Sequence, residues 1–407
     1  MLSDHALSTS GVGTQSRHLI NGLLEKDCWS VRQFGAAMKH DNYDVVHMSP
    51  DFIIKPIDGF GSKEMLRLAL ATEKPDILFI FTDPRFFYWL FEMEDEIHQV
   101  CPIVWWHVWD NKPYPEFNDP FYHSTDLINC HSYHTYEQLK EFHPEKTNFI
   151  PHAIPPEIFF PAPKEQALSW KAQVLGEHRL DHFVGFWVNR NARRKRPGDL
   201  LWAWKIFLDK LQTEEGHKKA SLVMHTDPTD KEGPNLLSLV EQLGIRENVV
   251  FSPERIGFEQ MNAYHNLVDF TINVSYAEGF GLSTLESMMT ATPIIAPCTG
   301  GQTRQVVDHR DGSENGFALP IELQTLVGSQ SVPYIYEDYT SSQTIAEKIW
   351  KMYELGPDGR EALGQKAKAY ADSEFSYQKT VDLWHDSMIS VIENWKSTYE
   401  YYTVEEL

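Results

Sequence analysis

Short apolar runs alternate with amphipathic stretches along most of the chain, and that alternation predicts an α/β architecture. In the N-terminal part, strands are expected at Tyr43 to His47 (YDVVH), Asp76 to Phe81 (DILFIF), Ile103 to Val108 (IVWWHV), Leu127 to Cys130 and Asn148 to Ile150. Helices are expected over Lys63 to Ala71, Phe86 to Gln99 and Thr135 to Phe142. DILFIF and IVWWHV are apolar on both faces, as the inner strands of a parallel sheet are. The proline-rich segment Pro151 to Pro163 (PHAIPPEIFFPAP) reads as a linker. After a helix over Glu165 to Leu175, a second alternating set begins. Its strands are expected at Phe183 to Val188, Ala220 to His225, Asn248 to Phe251, Asp269 to Val274 and Thr292 to Ala296. Its helices run through Leu201, Trp204 and Phe207, over Leu236 to Leu243, over Phe258 to His265 and from Leu282 to Met289. Three amphipathic helices follow, Thr344 to Leu355, Gly359 to Asp372 and Phe375 to Trp395, and the acidic tail Glu400 to Leu407 is expected to fray. The pattern is that of two doubly wound α/β domains.

Composition agrees with that division. A length of 407 residues favours two domains over one, and 42% hydrophobic residues supply sizeable cores. With 36 Lys and Arg against 58 Asp and Glu, the formal charge is −22, which repels nucleic acid and anionic membrane in bulk. No apolar run reaches the length of about 18 residues that a membrane span needs. The start, MLSDHALSTSG, has neither a basic region nor an apolar core, so no signal peptide is expected. Met1 to Asp4 leaves little room for a first strand; either that strand is a stub or the native start is missing. The four cysteines, Cys28, Cys101, Cys130 and Cys298, lack CxxC spacing and read as free thiols of a reducing, cytoplasmic compartment.

The strongest candidate for chemistry is SYAEGFGLSTLE, Ser275 to Glu286. It lies between the expected strand Asp269 to Val274 and an apolar helix pattern at Leu282, Leu285, Met288 and Met289. The first amides of a helix lack internal partners and, with the helix dipole, favour an anion. Gly279 and Gly281 allow close backbone approach. Glu278 at the loop mouth and Glu286 about one turn into the helix are acceptors for hydroxyl groups.

Four further loops fall at expected strand ends, Gly11 to Gln15, Thr82 to Arg85, His107 to Lys112 and the basic loop Asn189 to Gly198, where ligands of open α/β sheets bind. Between Arg190 and Arg196 stand five cations, Arg190, Arg193, Arg194, Lys195 and Arg196, in an otherwise acidic chain. Arginine and lysine are the usual partners of a diphosphate; about three of the five are expected on a solvated face. His107 follows IVWW and precedes Trp109, Asp110 and Asn111. Gly11 and Gly13 open an expected helix through Leu19, Ile20, Leu23 and Leu24. His131 and His134 do not make a metal pair, because no third ligand is spaced to join them.

The spacing Glu278 to Glu286, the intervening GFGL and the apolar strand after it resemble the E-x(7)-E signature of retaining GT-B glycosyltransferases, the group that includes glycogen and sucrose synthases. The likeness runs from Gly11 to about Trp395 and implies two Rossmann-like domains facing a cleft. These are an acceptor-side domain over 1–155, a hinge over 156–180, a nucleotide-sugar domain over 181–374, and a helix over about 375–397 that crosses back to the first domain. By this resemblance Arg190 and Lys195, five apart, grip the donor diphosphate. Glu286 holds the ribose and Glu278 the donor sugar. Gly11, Gly13, Gly279, Phe280, Gly281 and Leu282 line the donor, His107 lies near the donor sugar, and Asp110 orients it or contacts the acceptor. Ser252 to Arg255 falls where the nucleobase is held, and Asn315 to Ala318 is similar to a late loop of the family. Arg304 stands where the family commonly has an acidic residue.

The activity implied is retaining transfer of a hexosyl or pentosyl group from a nucleotide-diphosphate sugar to an acceptor hydroxyl. The sugar nucleotide is a co-substrate and no cofactor is implied. Metal independence is expected, because the chain has no Asp-x-Asp pair to hold a cation on the diphosphate. Two alternatives stay open: a GT-B-like nucleotide-sugar epimerase or hydrolase, and a glycosyltransferase of hydroxymethylated DNA bases, for which the aromatic stretch Trp105 to Tyr122 and the basic loop speak. The acceptor and the oligomeric state are left open.

Overall fold

The computed structural model describes residues 1–39 and 42–399. The expected fraying of Glu400 to Leu407 lies outside them. The chain divides into two compact units. One comprises Met1–Ala153, Ser329–Pro333 and the segment from Tyr377 on; the other comprises Ile154–Gly328 and Tyr334–Ser376. The helix Lys164–Leu175, which lies in the segment expected as the hinge, counts with the second unit. Among the described residues no helix is long and apolar enough to cross a membrane, and all four cysteines are unpaired.

The first unit is built on eight strands: β1 (Leu2–Asp4), β2 (Val31–Ala36), β3 (Val46–Ser49), β4 (Phe52–Pro56), β5 (Leu78–Thr82), β6 (Ile103–His107), β7 (Leu127–Cys130) and β8 (Thr147–Phe149). Their order is β3-β4-β2-β1-β5-β6-β7-β8, parallel except for β3. Successive side chains of a strand point to opposite faces. Accordingly Ile80, Ile103 and Trp105 join one core cluster, while Phe79, Phe81, Val104 and Trp106 join another. Both faces are covered, as the apolar runs require.

β2 and β4 were not expected. β2 reads VRQFGA, and its polar Gln33 breaks any apolar run. Gln33 is nonetheless wholly buried, because its amide donates to Ser3 Oγ and the Asp4 carbonyl and its oxygen accepts from the Ala6 amide. The expected helix from Phe86 to Gln99 is broken into a 3-10 turn, Pro84–Phe87, and two short helices, Tyr88–Phe91 and Glu94–His98. That break lets Leu90, Phe91, Met93 and Ile97 all reach the core.

The last helix, Tyr377–Thr398, packs within the first unit. Trp384 is fully buried against Phe79 and Trp106, Lys26 pairs with Asp382, and Tyr377 Oη donates to the His18 carbonyl at 2.7 Å. Gly22 lies at this contact: a Cβ there would stand 2.4 Å from Val381 Cγ2 and 2.8 Å from Tyr377 Oη. Alanine gains about 1 kcal/mol of helix propensity over glycine, but overpacking costs about 1–3 kcal/mol. Gly22→Ala is therefore expected to lower stability in a urea titration. An unchanged or raised midpoint would show that the two helices do not meet there as tightly as the geometry requires.

The second unit carries β9 (Phe183–Val188), β10 (Ala220–His225), β11 (Val249–Ser252), β12 (Phe270–Ile272), β13 (Ile294–Pro297) and β14 (Phe317–Leu319), all parallel in the order β11-β10-β9-β12-β13-β14. Phe183 and Trp187 of β9 face one core cluster, Val184 and Phe186 the other. An antiparallel hairpin, β15 (Leu323–Val327) and β16 (Ile335–Tyr339), is added to this unit. The sheet order reverses between β9 and β12. That switch point is where an open α/β sheet leaves a crevice beyond its strand ends.

Candidate functional site

β9 delivers the basic stretch to the switch point of the second unit, and β12 delivers the glutamate loop. After β12 the Asn273 side chain accepts from the Ser275 amide at 2.8 Å and starts the turn. The loop continues to Gly281, whose φ of +92° is readily adopted only by glycine, and the helix Leu282–Met289 begins there with no side-chain cap. The Thr284 amide turns back onto the Gly281 carbonyl at 3.1 Å, so the amides of Leu282 and Ser283 are the ones left to water or a ligand. Gly301 packs under the loop: a Cβ on it would lie 2.4 Å from the Gly279 carbonyl oxygen. Gln302 donates to Thr284 Oγ1 and Gln305 to the Phe280 carbonyl, so Gly300 to Gln305 braces the loop from behind. Arg304, in this segment, pairs with Glu374 at 3.0 Å.

Glu278 meets two cations. Lys195 Nζ donates to its Oε2, and Arg194 Nη1 stands 3.5 Å away while donating to the Ala277 carbonyl at 3.0 Å. The Lys195 and Glu278 side chains are only 10% and 12% exposed. Burial pushes the Glu278 carboxyl up, yet Lys195 and Arg194 outweigh it and hold the group below the usual carboxylate range. A second tie joins the same segments: the Tyr276 amide donates to the Arg194 carbonyl at 3.1 Å. Glu286, one turn into the helix, accepts from His265 Nε2 at 3.2 Å. His265 is fully buried and Thr271 Oγ1 lies 3.4 Å from its Nδ1. His225 and Ser252, at the ends of β10 and β11, are joined at 3.0 Å.

The basic stretch differs from the sequence reading in its pairings. Arg190 is paired with Asp230 at 2.7 Å and its side chain is 64% exposed, so it does not share an acidic partner with Lys195. Three of the five are exposed as expected, Arg190, Arg193 and Arg194 at 64%, 67% and 42%, but none of the five stands alone. Arg194 is on Glu278, Arg193 forks onto Glu337 at 2.8 and 2.9 Å, and Arg196 is buried with its guanidinium on the Thr340 carbonyl and on Asp199. Phe280 is also placed differently from a donor contact. Its ring is buried in the core with Leu285 and Met288, leaving only its backbone to a ligand. Leu282 and Gly279 stay beside it in the loop and helix start. Asn315 is fully buried and leads straight into β14, so Asn315 to Ala318 is a strand entrance rather than a free loop.

The remaining candidates belong to the first unit. Gly11 is the first residue of the helix Gly11–Leu24 and Ser10 its cap. The Gly13 amide is taken by Ser10 Oγ at 3.0 Å, and Ser10 in turn donates to Asp4 Oδ2 at 2.5 Å. A Cβ at Gly13 would stand 2.1 Å from Ser8 Oγ and 2.5 Å from the His5 carbonyl. Gly13 is thus required by close packing on the loop after β1, which corrects its reading as an amide open to a donor. The His107 ring is wholly buried, with Nε2 on Tyr122 Oη at 2.9 Å and no hydrogen-bond partner at Nδ1. Burial, then the neighbouring His131, drive its pKa well below the usual histidine value, so the ring is neutral. Asp110 is half-buried, and its charge adds to that of Asp83 in holding Arg85 protonated. His131 Nδ1 bonds the His107 carbonyl at 2.6 Å, and among the described residues no group of three His, Cys, Asp or Glu is placed to hold a metal.

Sequence reasoning missed His265, Glu337 and His152. His152 lies just past β8, fully buried and stacked on His131. The first two are single polar residues in stretches without a motif; only the fold places them.

Comparison with known proteins adds three findings. Residues 183–327 match the family described as Glycosyl transferases group 1. D-inositol 3-phosphate glycosyltransferase of Nocardiopsis dassonvillei is 28% identical over 164 residues, covering 40% of this chain and 37% of that protein. The protein of the same name from Mycobacterium sp. strain JLS is 34% identical over 180 residues, covering 44% and 38%. The matched stretch thus spans less than two fifths of the length of either of these two relatives. Among solved structures, sucrose-phosphate synthase of Thermosynechococcus elongatus superposes with a TM-score of 0.71 at 16% identity, covering 94% of each chain. An Anabaena protein in complex with UDP and glucose gives 0.68 at 16% identity, covering 94% and 97%.

Proposed function

Residues 183–327 belong to the group 1 glycosyl transferases and the chain has the GT-B fold; on that premise we propose that it is a retaining glycosyltransferase, moving a sugar from a nucleotide-diphosphate sugar to an acceptor hydroxyl. One observation carries the reading. At the switch point of the second unit, Lys195 and Arg194 converge on Glu278 beside an uncapped helix start. In this reading the two cations and the first amides of Leu282–Met289 stabilise the negative charge that develops on the departing diphosphate. Glu286, steadied by His265, holds the ribose. Glu278 accepts from donor-sugar hydroxyls once the diphosphate shares its cations. Arg190 would join the diphosphate only by leaving Asp230. For His107 the role is narrower: a buried neutral ring that fixes Tyr122 and the loop carrying Asp110, with Asp110 facing the acceptor. No cofactor is required, and cationic side chains take the place of a metal on the diphosphate. The two alternatives, glycosylation of hydroxymethylated DNA bases and nucleotide-sugar epimerisation or hydrolysis, draw no support from these likenesses.

The test begins with a thermal-shift screen of UDP-, GDP- and ADP-sugars. UDP-sugars come first, because solved structures of the same fold carry UDP. A ligand at 100 times its dissociation constant stabilises by about 2.7 kcal/mol. Acceptor trials with the stabilising donor follow, the product's anomeric configuration being read by NMR. Turnover is expected to persist in EDTA with retention. Loss of turnover in chelator, restored by magnesium or manganese, would overturn metal independence, and an inverted product would overturn the retaining mechanism.

A further inference from the structure

The hairpin β15–β16 touches the site through residues that neither the glutamate motif nor the basic stretch contains. We infer that it is a brace for the diphosphate-binding turn, with Glu337 as the positioning residue that anchors Arg193; the inference rests on the function proposed above. Glu337 is 3% exposed on the one strand of the hairpin whose middle is buried. Its two oxygens each accept from a different nitrogen of the Arg193 guanidinium, at 2.8 and 2.9 Å, and Tyr339 Oη also donates to it. Arg193 Nη1 further donates to Tyr276 Oη at 2.8 Å.

The backbone makes the same connection. The Asp338 amide donates to the Tyr276 carbonyl at 2.9 Å, and the Tyr276 amide donates to the Arg194 carbonyl at 3.1 Å. Three segments distant in sequence thus run side by side: the hairpin, the start of the glutamate loop and the basic turn. Thr299 Oγ1 donates to Asp338 Oδ2 at 2.6 Å, and Arg196 donates to the Thr340 carbonyl at 2.9 Å, so the brace is fastened on both sides.

Charge explains why a brace is needed. Arg193, Arg194 and Lys195 are consecutive in one 3-10 turn, and three adjacent cations repel one another. Glu278 takes up two of them and Glu337 the third. With Arg193 tied back by a bidentate, poorly hydrated carboxylate, the turn keeps Arg194 and Lys195 together at Glu278. Glu337 touches neither substrate nor reacting atoms in this arrangement; it acts through Arg193.

The test is calorimetric titration of the full chain with UDP, GDP and ADP and with uridine, guanosine and adenosine, beside thermal denaturation without ligand. Glu337→Gln is expected to weaken binding of the preferred nucleoside diphosphate about tenfold, the loss of one charged hydrogen-bonded contact, and to leave its nucleoside unchanged. Arg193→Met should give the same loss, and the double variant should be no weaker than either single one, since both changes break one unit. Glu337→Asp, which keeps the charge, should recover part of the affinity. If Glu337→Gln does not fold, Tyr276→Phe removes the other anchor of Arg193 and should give a smaller loss of the same selectivity.

A loss shared equally by nucleoside and diphosphate, together with a lowered melting temperature, would reduce Glu337 to a fold residue and overturn the inference. So would Arg193→Met weakening the diphosphate while Glu337→Gln leaves it unchanged or tighter, which would make Arg193 a direct ligand. Unchanged affinity in all variants would refute the brace while the proposed function stands. A wild-type chain that binds none of the three diphosphates would remove the proposed function and the brace with it.

Discussion

Lys195→Met is expected to destabilise the protein by about 3 kcal/mol near neutral pH, the cost of leaving one partner of a buried ion pair alone. Glu278 is the group left behind, and its side chain is 12% exposed. In the wild type its carboxyl is held below the usual range, because Lys195 and Arg194 outweigh the effect of burial. A carboxylate with a depressed folded pKa contributes stability that is fully present above its unfolded value of about 4.3 and fades as pH falls through the folded value. Without Lys195 the largest single influence, burial, works the other way. Arg194 remains, but at 3.5 Å and 42% exposed it is a weaker counterweight. The folded pKa of Glu278 then moves up, so its contribution is present below about pH 4.3 and is lost as pH rises through the folded value. The stability gap between wild type and Lys195→Met should therefore widen from about pH 4 to about pH 7. Urea titrations of both proteins across that range measure it. A gap independent of pH would mean that the Lys195–Glu278 contact carries no net charge interaction, and the site as described would fail.

Some of this arrangement was legible in the sequence because covalent spacing alone determined it. A strand, a glycine loop and a helix place Glu278 at the loop and Glu286 one turn into the helix whatever the rest of the chain does. The apolar runs DILFIF and IVWWHV announced strands covered on both faces, and Phe79, Phe81, Val104 and Trp106 do fill one face while Ile80, Ile103 and Trp105 fill the other. Partners were not legible. Arg190 and Lys195 lie in one short stretch, yet Arg190 found Asp230, 40 residues on, while Lys195 found Glu278, 83 residues on. Nothing local distinguishes those outcomes. Gly13 looked like a glycine that admits a ligand, but a hydroxyl three residues earlier had already claimed its amide. The hairpin left no trace either. Leu323 and Leu326 of β15 are 61% and 60% exposed, so its strands lack the inward alternation that marks a half-buried strand. Glu337 reads as a surface acid until Arg193, 144 residues earlier, covers it.

Glu286→Gln and Glu278→Gln should separate the two ends of the donor. Both carboxylates lie in one loop-and-helix segment, but their surroundings differ. Glu286 has His265 at 3.2 Å and no cation within ion-pair distance among the described residues, so its remaining lone pairs suit a neutral diol. Glu278 sits against Lys195 and Arg194, where the diphosphate and the sugar attached to it would meet. A hydrogen bond to a charged group contributes about 1.5–3 kcal/mol, and about 1.4 kcal/mol is a factor of ten. Glu286→Gln should therefore weaken uridine and UDP alike, or whichever nucleoside and diphosphate pair the wild type prefers, by about tenfold to a hundredfold. Glu278→Gln removes a negative charge beside the diphosphate, so it should leave nucleoside affinity untouched and leave diphosphate affinity equal or tighter. Turnover should nonetheless fall by about a hundredfold or more, because an interaction that strengthens in the transition state is lost. The measurements are calorimetry with both ligands and initial rates with the stabilising donor. If Glu278→Gln weakens the bare nucleoside, or if Glu286→Gln weakens the diphosphate alone, the nucleotide lies the other way round in the site. If Glu278→Gln turns over at the wild-type rate, Glu278 is only the anchor of Lys195, and the donor sugar must be held by groups other than this carboxylate.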